Sequence, residues 1–306
     1  MIPQELLLAL RELAPVREAE PLSRHTTFGI GGPADAYMVA ETEEHLRAFV
    51  ALAREASAPW FILGSGSNIL IGDGGIRGLV IENQADQVSD PYPNGKGMIV
   101  RAGSGVSFAA LARRLSFAGY AGLEWASGIP GSLGGAVVYN AGAYGGCLQD
   151  VLVGVRLADR ENNVLEMPPN ELGLGYRGSA FTRGVIRERV VLSIDMRVFP
   201  GDASQLRQRV RELDERRLAA QPKGRNSGSI FKNPPDRPAW WLIDQVGLRG
   251  SRIGNGQISE KHTNFFLNLG QASAADIKAL MELAQSRVKE SFGVELEPEV
   301  KLVGDF

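Results

Sequence analysis

Three side chains in this sequence are candidates for chemistry, and they lie far apart: Arg177, Ser229 and Glu299. Arg177 follows an aromatic and precedes a small residue, a setting where a guanidinium can be buried with its planar fork against a carboxylate. Ser229 sits between Gly228 and Ile230, and Glu299 between Pro298 and Val300, which places the carboxylate on a strand. Taken singly, each has a plainer reading: a structural salt bridge, a turn serine, a surface carboxylate. Metal chemistry is not indicated, because His25, His45 and His262 are scattered and Cys147 stands alone. A serine-hydrolase elbow is not indicated either. Gly64-Ser65-Gly66-Ser67-Asn68 matches its pattern only superficially and lacks triad partners in a plausible order.

Side chains of this kind need a scaffold, and two glycine-rich stretches are the obvious one. From Glu124 to Asp150 the chain reads EWASGIPGSLGGAVVYNAGAYGGCLQD, with almost no charge between its ends. Ordering glycine costs conformational entropy, so such a run implies backbone that turns sharply or lies against a flat or phosphorylated ligand. Ile129, Leu133, Val137, Val138, Tyr139 and Leu148 are interleaved with the glycines, more apolar surface than a solvated linker carries. The second stretch, Gly64–Asn68, follows the apolar run Trp60–Leu63. A strand entering a Gly/Ser loop clusters backbone N–H groups in a way that suits a pyrophosphate, and equally suits a tight turn. It is neither the six-residue glycine fingerprint nor a Walker loop, whose Lys is missing.

Composition sets the outer limits. The chain has 306 residues, is 44% hydrophobic and 22% charged, and carries a net charge of -2. That length suggests two domains, and that charge offers no nucleic-acid or membrane surface. No apolar run approaches the roughly 18 residues of a membrane span. The first residues show no charged region and cleavage site of a secretory leader, and one cysteine cannot form an internal disulfide. A soluble cytoplasmic protein is the expectation.

The periodicities predict a short amphipathic helix through Leu6, Leu7, Leu10 and Leu13, then a strand at 36–40. A helix capped by Thr42 should bury Leu46, Phe49, Val50 and Ala53. Strands follow at 79–82 and 98–102, then a helix capped by Ser107 and closed by Gly119, and strands at 151–157 and 190–199. Short strands with few helices predict an α+β fold with a mixed sheet. The texture changes after residue 200. A charged helix should bury Leu206, Val210, Leu213 and Leu218, with its arginines on a solvated face, and a last long helix runs from 274 to about 290. Residue chemistry alone therefore reaches a ligand-binding, phosphate-binding α+β protein.

Seven segments carry a resemblance. They are Thr27-Phe28-Gly29-Ile30-Gly31-Gly32, Leu63-Gly64-Ser65-Gly66-Ser67-Asn68, Ser127 to Ala136, Asn140 to Gly146, Tyr176-Arg177, Gly228 to Pro234 and Glu297-Pro298-Glu299-Val300. In this order, over nearly the whole chain, they resemble the UDP-N-acetylenolpyruvoylglucosamine reductase (UDP-N-acetylmuramate dehydrogenase) family of bacterial peptidoglycan synthesis. The resemblance is to the shorter, type II branch, since the segment from Arg177 to the strand at Val190 has no room for the substrate-covering loop of type I. It implies an FAD-binding domain of the vanillyl-alcohol-oxidase (PCMH) type followed by a smaller α+β substrate-binding domain. The implied division is an N-terminal helix and lead-in over 1–25, the FAD-binding domain over 26–200 and the substrate-binding domain over 201–306.

The resemblance further implies non-covalent FAD, with its pyrophosphate on Gly64, Ser65, Gly66, Ser67 and Asn68. Its ring system and adenosine side would meet Ser127, Gly128, Ile129, Gly131, Gly134, Gly135, Asn140, Ala141 and Gly142. NADPH would reduce the flavin and leave, and the enolpyruvyl ether of a UDP-sugar would then take hydride at its methylene carbon. Arg177 matches the residue facing the developing enediolate, Ser229 the general acid and Glu299 the third catalytic residue. A carboxylate there repels the enediolate, so Glu299 should be protonated or engaged with Arg177. Lys232 and Asn233 are expected at the substrate's diphosphate, and Trp240 and Trp241 in the core. A monomer without metal, nucleic-acid or membrane partner is expected. Two alternatives stay open: a flavin oxidase of the same superfamily, and a non-catalytic nucleotide-binding module.

Overall fold

The computed structural model describes residues 2–95 and 97–306. Two sheets build the first part of the molecule. One has four strands in the order Arg17–Pro21, Pro33–Ala40, Ile76–Asn83, Trp60–Leu63, with the last three parallel to one another. A parallel pair needs a crossover, and the helix Glu43–Glu55 supplies it between Pro33–Ala40 and Trp60–Leu63. The Thr42 hydroxyl accepts from the His45 N–H at 3.1 Å, which caps that helix, and Leu46, Phe49, Val50 and Ala53 are buried under it. The strand Trp60–Leu63 therefore ends where the cofactor-type loop Gly64–Asn68 begins.

The second sheet is antiparallel, in the order Val164–Met167, Leu152–Ala158, Val190–Pro200, Gly97–Gly103, Tyr92–Asn94. Its core is shared with the helices Phe108–Phe117 and Leu133–Tyr139, capped by the hydroxyls of Ser107 and Ser132. Strand pairing begins at Leu152, because Val151 closes the short helix Leu148–Val151.

The C-terminal part is smaller. Its three-stranded antiparallel sheet, Arg252–Ile253, Gly256–Ile258 and Phe266–Asn268, packs with the helices Ala239–Gln245 and Ala274–Phe292. Its core also takes in Phe28, Ile30 and Leu70 from the first part. The final strand Lys301–Val303 leaves it to pair in parallel with Ile69–Ile71, the strand that follows the Gly64–Asn68 loop. The side chain of Asp73 caps the helix Ala274–Phe292 by accepting from Ala274 and Ala275 N–H at 2.8 and 3.0 Å.

Two expectations about the charged helix Ala203–Ala220 are corrected. Val210 and Leu213 are buried, but Leu218 is 64% exposed, since the helix runs past its partner before that turn. Nor are its arginines all on a solvated face. Arg217 is half-buried, and its guanidinium donates to the Gly128 carbonyl. The helix lies against Phe108–Phe117, joined to it by a two-pronged Arg113–Asp214 ion pair at 2.6 and 2.7 Å.

Candidate active site

Arg177 is placed by a tight turn in which Gly175 and Gly178 exchange backbone hydrogen bonds at 3.0 and 3.3 Å. Arg177 itself adopts φ +50°, a left-handed conformation costing an L-residue about 1–2 kcal/mol. Contacts of the guanidinium hold it there. Nη2 donates to the Gly142 carbonyl at 2.8 Å, and Nε meets Glu299 Oε1 at 2.9 Å. The Gly142 carbonyl belongs to the small hairpin of Gly142–Ala143 and Gly146–Cys147, where a Cβ on Gly142 would stand 2.7 Å from Gly146 O.

Glu299 is fixed through its backbone on two sides. Its N–H donates to Ile230 O at 2.8 Å, and its carbonyl accepts from Asn68 Nδ2 at 3.2 Å. Burial pushes the Glu299 carboxyl above the ordinary carboxylate range, and the opposing pull of Arg177 and Lys232 does not cancel it. Ion pairing and a raised pKa coexist here because the guanidinium compensates only part of the lost hydration. Ser229 stands next in the chain to Ile230, opposite Phe265 in an antiparallel bridge. Its neighbours are locked by Asn264, whose side chain bonds Phe231 N–H and C=O at 2.9 and 2.8 Å. The Ser229 hydroxyl forms no hydrogen bond with another described residue. Two of the three scattered candidates thus touch, Arg177 and Glu299, and Ser229 is linked to their junction through the main chain, since the next residue, Ile230, accepts the Glu299 N–H. Glu299, expected on a strand, lies just before the strand Lys301–Val303 and not within one.

The glycine loops face each other beside that junction. A Cβ on Gly64 would lie 2.4 Å from Ser132 Oγ, and one on Gly131, at φ +129°, 3.0 Å from Ser67 Oγ. Ser67 Oγ donates to Pro130 O at 3.1 Å. Gly66 has φ +60° and leans on His25, whose carbonyl would be 2.0 Å from a Cβ there. Among the described residues, no backbone N–H of Ser65, Gly66, Ser67, Asn68, Gly131 or Ser132 donates within the chain. Unsatisfied amides converging from two loops are the donor set an anion requires. The Ser127 hydroxyl, buried in the same stretch, also lacks a partner.

Other expected contacts are spent inside the chain. Asn140 closes the helix Leu133–Tyr139 in a left-handed conformation, donating to Gly175 O at 3.0 Å and accepting from Gln149 N–H at 3.1 Å. The Ala141 N–H donates to Ala136 O, and the Ile129 side chain packs on the core. Asn233 Oδ1 accepts from Ala239 N–H at 3.0 Å at the start of a helix, and Lys232 pairs with Glu297. Trp240, expected in the core, is 39% exposed because it points outward from the first turn of its helix; Trp241 packs at the core edge.

Comparison with known proteins fits this arrangement. Residues 34–167 match the FAD binding domain model, and residues 221–303 match the model of the UDP-N-acetylenolpyruvoylglucosamine reductase C-terminal domain. UDP-N-acetylenolpyruvoylglucosamine reductase 2 of Symbiobacterium thermophilum is 41% identical over 303 residues, covering 98% of this chain and 96% of the relative. The chain belongs to the UDP-N-acetylenolpyruvoylglucosamine reductase family. The Synechococcus sp. member is 43% identical, over 94% of this chain and 90% of its own. The crystal structure of the reductase from Thermus caldophilus superposes with a TM-score of 0.77 at 35% identity, covering 94% of this chain and 99% of that one. As in the reductase family, the fold is α+β with an FAD-binding domain and a family-specific C-terminal domain.

The residues present fit the FAD of the reductase family. The paired loops offer unsatisfied amides for a diphosphate, and side-chain-free backbone at Gly135 is open to a flat ring, whereas Gly134 is packed against Ser104. Sequence reasoning missed two contacts in this reductase site. Arg217 was one of five arginines in a charged helix, and the side-chain role of Asn68 was hidden within a backbone motif. No local signal separates them from their neighbours. Among the described residues there is no cluster of metal-ligating side chains and no helix long and apolar enough to cross a membrane.

Proposed function

We propose that this chain is a flavin-dependent reductase that converts UDP-N-acetylglucosamine enolpyruvate to UDP-N-acetylmuramate with NADPH, a cytoplasmic step of peptidoglycan precursor synthesis. The observation carrying the proposal is the Arg177–Glu299 contact at 2.9 Å, with the Glu299 N–H held by Ile230, the residue after Ser229, next to amide-lined loops suited to a dinucleotide.

Bound FAD, once reduced by NADPH, would supply the hydride. Adding hydride to the vinyl carbon builds negative charge on the neighbouring carbon and its carboxylate, so the chain must supply positive charge and a proton. Arg177 presents a planar fork already oriented by Gly142 and Glu299. Ser229 Oγ holds the proton for the carbon, and a neighbouring group must assist a hydroxyl of such low acidity. A Glu299 carboxyl held toward its neutral form does not repel the developing charge. Lys232 would meet the substrate's diphosphate after exchanging its Glu297 partner, and Asn233 would do so through the main chain.

The working division keeps the FAD-binding domain at 26–200 and the substrate-binding domain at 201–306. The packing of helix Ala203–Ala220 favours counting it with the first domain. A vanillyl-alcohol-oxidase type for that domain is supported by its two sheets meeting at the glycine loops, and a monomer remains our reading. The test is anaerobic. The purified protein should be yellow, bleach on NADPH, and recover its colour when the enolpyruvyl nucleotide is added. A protein that bleaches but recovers only with oxygen is an oxidase-type relative in function. One that never bleaches is a binding module.

A further inference from the structure

The side chain of Asn68 does something the glycine-loop motif does not announce. Its Nδ2 donates to the Glu299 carbonyl at 3.2 Å. The Asn68 carbonyl accepts from Lys301 N–H at 3.1 Å, so one residue grips the chain on both sides of Val300. From there Ile69–Ile71 runs in parallel with Lys301–Val303, in the register Ile69↔Lys301, Leu70↔Leu302 and Ile71↔Val303. On the opposite side the Glu299 N–H is held by Ile230, next to Ser229. The Glu299 peptide is thus clamped by both domains, its N–H by the substrate-binding part and its C=O by the loop of the FAD-binding part.

We propose that Asn68 is a positioning residue that sets Glu299 against Arg177 from the cofactor loop, so that the loop's geometry and the carboxyl's placement are coupled. The inference rests on the reductase reading above and deepens it. Backbone amides of Ser65 to Asn68 remain for the diphosphate, while the Asn68 side chain serves the reacting centre. Displacement of a reacting group by about 1 Å costs on the order of 100-fold in rate. Asn68 acts on one half-reaction only, because Glu299 faces the enolpyruvyl substrate's charge.

The test compares half-reactions by anaerobic stopped flow in the FAD-loaded enzyme. Asn68→Ala should keep its flavin, and its reoxidation by the enolpyruvyl nucleotide should slow at least tenfold more than its reduction by NADPH. In Asn68→Asp an ionised carboxylate would face the Glu299 carbonyl, whereas a protonated one would donate to it. The ratio of variant to wild-type reoxidation should therefore rise as pH falls through the new carboxyl's pKa, a response that general loosening of the fold does not produce. Glu299→Gln, run alongside, separates the two levels. If it slows reoxidation while Asn68→Ala slows both half-reactions equally, or sheds flavin, the positioning role is overturned and Asn68 is a cofactor ligand. If wild-type protein is not reoxidised by the nucleotide at all, the reductase reading itself falls.

Discussion

The two halves of the site are built in opposite ways. The cradle is main chain: contiguous glycine and serine residues whose amides are left unpaired and whose missing side chains let two loops close on each other. The proposed reacting centre is side chain: a guanidinium, a hydroxyl and a carboxyl from positions 177, 229 and 299, brought together by contacts between distant segments. A main-chain site tolerates variation in side-chain identity but demands particular residues at strained or crowded points. A side-chain site tolerates variation in the surrounding sequence but demands three functional groups. Substitutions in the centre should therefore change one step of turnover, and substitutions in the cradle should change cofactor affinity.

The largest effect expected is at Ser229. Ser229→Ala should hold FAD and be reduced by NADPH, yet be reoxidised by the enolpyruvyl nucleotide about 100- to 10,000-fold more slowly, the range for loss of a general acid. Stopped-flow rates for each half-reaction check it. Equal slowing of both would remove the division between cradle and centre.

That division also explains what could be read before the fold was known. The elements were legible because their causes are local: Thr42 and Ser107 cap the helices they precede, and Leu46, Phe49, Val50 and Ala53 share one helical face. The proposed cradle could be put forward for the same reason, since Gly64–Asn68 and Ser127–Gly135 are continuous in sequence. The proposed centre was suggested only by resemblance. Nothing around Arg177 encodes the Gly142 carbonyl or Glu299, which arrive through a hairpin and the segment just before the last strand. Leu218 and Trp240 were misread because a periodic pattern marks a face without saying where the packing partner stops. Arg217 was misread because five arginines on one helix look alike until the neighbouring loop is in place.

A smaller effect, on pH dependence, sharpens the picture of the centre. The Glu299 carboxyl is raised by burial and pulled back by Arg177 and Lys232. Because its pKa lies above that of the unfolded chain, the neutral form is favoured in the fold. Its stabilising share is therefore present at low pH and is lost as pH rises through the raised value. Reoxidation should fall across the same window as Glu299 ionises. Arg177→Met removes the larger opposing charge, so that limb should move to higher pH, on top of a loss of about 100- to 1,000-fold in rate. A pH series of reoxidation rates decides it. A limb that stays in place, or moves down, would show that another group titrates there.

The smallest effect tests the cradle, at a glycine whose neighbours do not require it. Gly64 and Gly66 are demanded by the chain, since a Cβ on either would collide with Ser132 Oγ or the His25 carbonyl. Gly135 is different. It lies in the exposed first turn of Leu133–Tyr139 without a positive φ, and a Cβ there would find only Ser132 Oγ at 3.7 Å, an ordinary contact. In such a position alanine should stabilise the flavin-free protein by roughly 0.5–1 kcal/mol, through better helix propensity and a less flexible unfolded chain. If the ring system lies against this turn, the same methyl should weaken FAD binding. Gly135→Ala should thus raise the thermal midpoint of the apoprotein and lower that of the FAD-saturated protein, measured side by side. If both midpoints rise together, the turn is open to solvent rather than to the ring, and the cradle is confined to the two loops that face each other across Ser67 and Pro130.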